Sequence, residues 1–185
     1  MKWVTREFVH VDRTACPWLI KRFVDSKAKL LFAPVEKIED IVKKEKAIPY
    51  DAPNVELGHH GGKCSFDAII DKYKIQDDVL LRVANIVRAA DTGKPEISPE
   101  GAGLDAIMTG ISITAKDDYE AVEKAALVYD ALYDFCKVEK IKEKYKPEIE
   151  KMDKAQKRRF LRERIREAQP TMGKQISPNT FKADH

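Results

Sequence analysis

From Asp77 to about Ala168 the chain shows helical periodicity and little else, and this fixes where a sheet can form. Residues 78–91 place Leu80, Ala84 and Val87 beside Val83, Ile86 and Ala90 on an apolar face of helical spacing. Ser98–Pro99–Glu100 opens a second helix to about Gly110, and Asp117 opens a long third one through Cys136. Pro147 starts a last, charge-rich helix to about Ala168. Strands must therefore come from the first fifty residues or so. There WVTREFVHV (3–11) alternates loosely, KLLFA (29–33) reads as a short buried strand, and Ile48–Tyr50 as another. Between them, Pro17 sits at the expected first position of a helix carrying Leu19, Ile20, Phe23 and Val24, and a further helix is expected at 35–45. The expected fold is α+β and mostly helical: a small N-terminal sheet, a helical bundle-like part and a basic C-terminal helix. Residues 1–146 are expected to form the domain, 147–169 a basic helical extension and 170–185 a flexible tail.

Charge separates the same parts. Residues 151–185 hold ten Lys/Arg against four Asp/Glu, whereas residues 1–150 hold 24 against 27. No apolar run approaches the roughly 20 residues that cross a bilayer, so no membrane partner is expected. The charged start MKWVTREFVHVDR lacks a secretory h-region. Three cysteines, an odd number in a chain this long, fit a reducing compartment, and the cytoplasm is the expected location. Neither a Gly-rich dinucleotide loop, nor a P-loop lysine, nor a G-x-S-x-G elbow is present, which excludes those enzyme classes and any nucleotide cofactor.

Chemistry-bearing residues gather in LGHHGGKCSFD (57–67), which holds two of the four histidines of the chain. His59, His60, Cys64 and Asp67 are good ligands for zinc or for iron or manganese, and Gly61–Gly62 permit the sharp backbone such a loop needs. The spacing matches no closed zinc finger, so an open site completed by His10 is the expectation, against a plain polar turn capped by Ser65. Asp12 lies two residues from His10, on the same face if the segment is a strand, as a supporting carboxylate or a helix cap. Asp91, at a predicted helix C-terminus, needs a cation nearby; Arg88 or a metal would serve. Cys16, just before Pro17, would sit among the free N–H groups of a helix start, where a thiol is activated and an anion attracted. Arg6 and Arg13 are the anion-binding candidates, and Cys16 and Cys64 the catalytic candidates should the protein be an enzyme, which the residues leave open. The bland alternative for Cys16 is a packed core thiol, and Cys136 reads as packing among Tyr129, Leu132 and Tyr133.

The run HVDRTACPWLIKRFVD (10–25) resembles the signature of the C-terminal domain of the chromate-resistance ChrB family. HHGGKCSFD (59–67), IVRAAD (86–91) and the helix Tyr129–Cys136 resemble its further motifs, in order, over residues 3–137. The resemblance implies a role in chromate resistance, with chromate or a similar oxyanion as the partner. Proposals for the family include chromate sensing and transcriptional regulation. Longer family members carry an N-terminal portion that this sequence does not contain. Three functions follow as expectations: oxyanion or metal binding in a His/Cys/Asp/Arg pocket, nucleic-acid binding through the basic helix, or thiol- or metal-dependent redox chemistry. A homo-oligomer is left open.

Overall fold

A computed structural model describes residues 1–168, and the expected 170–185 tail lies outside them. Three short parallel strands, β1 (Lys2–Arg6), β2 (Lys29–Ala33) and β3 (Ile48–Pro49), form a sheet in the order β2-β1-β3. Trp3 pairs with Leu30 on one side and Ile48 on the other, so β1 is the central strand. Parallel neighbours require crossovers. The first runs through α1 (Val11–Leu19), continued by a π-helical turn at Ile20–Val24; the second runs through a 3-10 turn (Val35–Lys37) and α2 (Ile38–Glu45). Alternation along β1 then puts Trp3 in the main core and Val4 in a small second core with Ile38 and Ala47.

The helical part comprises α3 (Ser65–Tyr73), α4 (Asp78–Thr92), α5 (Glu100–Thr114), α6 (Asp118–Lys144), α7 (Lys146–Ile149) and α8 (Lys154–Glu167). Helix α1 is its hub, packing on α3, α4, α5 and α6. Trp18 lies parallel to Phe66 at 6.4 Å and touches Tyr129 and Tyr133, each at 6.0 Å between ring centroids. Its indole N–H donates to Asp130 at 2.8 Å, and Arg22 grips the same carboxylate. At the other end of α1, buried Tyr129 donates to the Val11 carbonyl and shares a 2.9 Å bond with Thr14. Among the described residues no helix is long and apolar enough to cross a membrane.

Several boundaries differ from expectation, and the reasons are physical. Strand β1 ends at Arg6 rather than running to Val11, because Phe8 turns into the left-handed region at φ 59°. The Phe8 and Val9 N–H groups then donate to Asp118, at 3.0 and 2.9 Å. Helix α1 consequently starts at Val11, six residues before Pro17, and Pro17 lies inside it. A proline there removes one donor and crowds the preceding turn, and the helix passes directly into the π turn that ends at Asp25. His10 and Asp12 therefore do not share a strand face: His10 precedes the helix and Asp12 lies in its first turn. The last helix does not start at Pro147. Asp153 breaks it, its carboxylate accepting from the Ala155 and Gln156 amides at 2.8 Å while the Gln156 side chain accepts from the Asp153 amide at 2.9 Å. This reciprocal cap begins α8 afresh.

Candidate functional site

Three segments converge on His59. Its Nε2 lies 3.4 Å from Asp12 in α1, 3.3 Å from Asp51 after β3, and 3.4 Å from Asp91 in the last turn of α4. One ligand atom each from Asp12, His59 and Asp91 lie within 4.8 Å of one another. Each of the three segments quoted above, HVDR, HHGG and RAAD, supplies one of them.

Local structure explains how each arrives. Asp12 is almost fully buried because its carboxylate caps α3 from outside, accepting from Ser65 N at 2.7 Å and Phe66 N at 3.1 Å. Two free amides and the positive end of a helix dipole favour a carboxylate there. Asp51 adopts φ 44° and is held from the other side: Arg6 reaches its carbonyl at 2.8 Å and its carboxylate at 3.2 Å, and Arg13 its carboxylate at 3.0 Å. His59 sits beside a two-residue hairpin. Gly61 and Gly62 both take positive φ, 57° and 80°, and His60 and Lys63 pair across them in both directions. That handedness matches the tight primed turns in which glycine is favoured.

The charge balance of the cluster is strained. Hydrogen bonding to Asp12 first, and then the charges of Asp12, Asp91 and Asp51, push the His59 imidazole up to about 9, against the opposing effect of partial burial. Burial first, and then the Asp12 charge, push the Asp91 carboxyl up to about 6. Both displacements have the same meaning: the site holds more negative charge than its half-buried setting stabilises.

The other anticipated site residues lie elsewhere. His10 faces α5, 3.1 Å from Thr109 and 3.5 Å from Asp105, and does not join His59. His60 turns away to the Val55 carbonyl at 3.1 Å. Cys64 is buried as the residue preceding α3; its amide donates to Asp67 at 3.1 Å, and Arg88 grips Asp67 through two 2.8 Å bonds. Arg88 thus neutralises Asp67 rather than Asp91. Cys16 lies in mid-helix, not at a helix start, 3.6 Å from Asp12. Burial pushes both the Cys16 and Cys64 thiols well up, so neither is activated as a thiolate. Arg6 and Arg13 do reach the site, yet they face Asp51. Asp51 escaped notice in the sequence: a lone acid after a two-residue strand carries no local signal.

A model of the family described as "ChrB, C-terminal domain" matches residues 3–136. Protein ChrB of Cupriavidus metallidurans is 28% identical to the chain over 134 residues, covering 71% of this chain and 40% of that relative's length. No solved structure matches. With the match running from the central strand into α6, the chain belongs to the ChrB C-terminal-domain family, which relates it to chromate resistance.

Proposed function

We propose that the domain serves chromate resistance by holding a divalent transition-metal ion on Asp12, His59 and Asp91. The observation supporting this is the convergence of three ligand atoms within 4.8 Å from elements nearly eighty residues apart in the chain. Two carboxylates and one imidazole form an oxygen-rich donor set suited to manganese, iron(II) or zinc. Three protein ligands leave positions open for water or an exogenous ligand, as in catalytic rather than structural sites. Asp51, already neutralised by Arg6 and Arg13, would lie beside the ion as a hydrogen-bond acceptor. The arrangement favours a cation over a free oxyanion, since an anion here would meet three carboxylates while both arginines are engaged.

The test is elemental analysis of untagged protein prepared without chelators, followed by equilibrium dialysis against manganese, iron(II) and zinc. About one equivalent of one metal should be retained. His59→Gln and Asp91→Asn should lose it, while His10→Ala and His60→Ala should keep it. Wild-type protein that retains no metal, or His59 and Asp91 variants that bind as wild type, would refute the assignment.

A further inference from the structure

Outside the matched family region, α8 carries a second surface with a different chemistry. One side of this helix is already covered. Phe160 meets Tyr145 edge-on at 5.4 Å, Arg164 lies over both rings at 5.1 and 5.6 Å, and Leu161 and Ile165 are half-buried where α8 packs on α6. The helix is thus held against its own protein. On the other side, Lys154, Arg158, Arg159, Arg162 and Arg166 are exposed and make no ion pair or hydrogen bond among the described residues. At about 100° per residue these five cations span an arc of about 140°. No acid interrupts that arc. Glu163 and Glu167 fall beyond it, and Glu167 is paired with Arg164 at 2.5 Å.

We propose that this arginine face docks on the phosphate backbone of duplex DNA. Unpaired guanidinium groups match phosphate with directed, paired donors, and Arg158 to Arg166 span about 12 Å of helix. Duplex DNA presents a charge about every 1.7 Å of its axis, so several phosphates fall within that reach. A bilayer is disfavoured because the apolar side of α8, which would enter it, is packed on protein. Single strands are disfavoured because no aromatic side chain stands on the arginine face to stack on bases. Duplex RNA has a deep, narrow major groove that resists a helix, whereas the DNA major groove admits one. The contacts are with the phosphates that flank the major groove, so binding is independent of sequence.

Fluorescence anisotropy with a labelled duplex of about 20 base pairs tests this on the full chain. Binding is expected at 50 mM salt and should fall steeply by 200 mM. The triple variant Arg158→Gln, Arg162→Gln, Arg166→Gln should lose about tenfold or more in affinity and lower the salt slope by about 2.7. A control removing equal charge from α2 and the turn before it, Lys37→Gln, Lys43→Gln, Lys44→Gln, should bind as wild type. All six positions are exposed, so circular dichroism should be unchanged. The proposal is overturned by no binding at 50 mM salt, or by equal losses in both triple variants. Tighter binding of single strands, duplex RNA or an acidic polypeptide would overturn it as well.

Discussion

The region around α1 and the helical hairpin that α8 forms against α6 use charge in opposite ways. Around α1 acids are drawn inward and satisfied across the fold. Asp12 caps α3, Asp67 takes Arg88, Asp130 takes Trp18 and Arg22, and Asp118 takes the loop amides at Phe8 and Val9. In the hairpin, polar contacts are local, such as the Asp153–Gln156 cap and the Arg164–Glu167 pair, and most cations face water. Buried, cross-element bonds fix geometry and are costly to break; exposed pairs contribute about 0–1 kcal/mol. The first region is therefore built to hold a fixed geometry, and the second to present charge.

The largest expected effect comes from Asp12→Ala. It strands two amides at the start of α3 and should lower stability by about 3 kcal/mol in urea denaturation. Equal stability of variant and parent would mean that water replaces the cap and that the contrast between the regions is overstated.

Next is Gly101→Ala, where α5 crosses α4. A methyl group there would stand 2.6 Å from the Ala89 side chain and 2.9 Å from the Ala90 amide, directly before Asp91. Overpacking should cost about 1–3 kcal/mol. Gly103→Ala, with nothing within 4 Å, should instead stabilise by about 0.5–1 kcal/mol. Thermal melts that move the same way for both would show that α4 and α5 adjust freely.

A smaller loss is expected in the hairpin. Phe160→Ala removes one edge-on aromatic contact on a half-buried side chain and should cost about 1 kcal/mol. Hydrogen exchange should show the loss confined to α8, with amides of α1 and α4 unchanged. Loss of protection throughout would mean that the hairpin belongs to the same cooperative unit as the core.

The mildest test is pH. In metal-free protein His59 is raised from 6.5 to about 9, so its contribution to stability is complete below about 6.5 and is lost as pH rises through 9. Asp91, raised from 3.8 to about 6, likewise makes stability decline as pH rises from 3.8 through 6. The melting temperature should therefore fall between pH 6.5 and 9, and His59→Gln should flatten that decline. Bound metal should oppose it, because the ion replaces the imidazole proton and its affinity rises over the same interval.

Much of the fold was legible in sequence because helical periodicity beyond Asp77 is strong and only the start could pair as strands. The positions of α4 and α6 were readable from Asp77 and Asp117, whose carboxylates cap them. The α1 boundary was not, because Pro17 is a common first helical residue, and nothing local reveals that Asp118, more than a hundred residues away, ends the preceding loop. The DKAQ cap of α8 was readable but masked by Pro147 six residues earlier. For the site, the adjacent histidines pointed to the right loop without telling which imidazole turns inward. That choice rests on the Val55 carbonyl accepting from one ring while three carboxylates surround the other. Asp12 and Asp91 were noticed as supports, yet only the packing of α1 against α4 brings them together.

The glycine turn beside His59 acts on time rather than energy. Asp12 is buried and Asp91 largely covered, each on a helix, but the His59 side chain is 47% exposed and sits beside a glycine turn. Swinging that one ring outward would uncover the carboxylates without disturbing the core. An ion held here would exchange on the timescale of a loop, nanoseconds to microseconds for each opening, rather than waiting for the domain to unfold. Residence time would then be set by the two glycines, and stiffening them would lengthen it while leaving the ligand set intact.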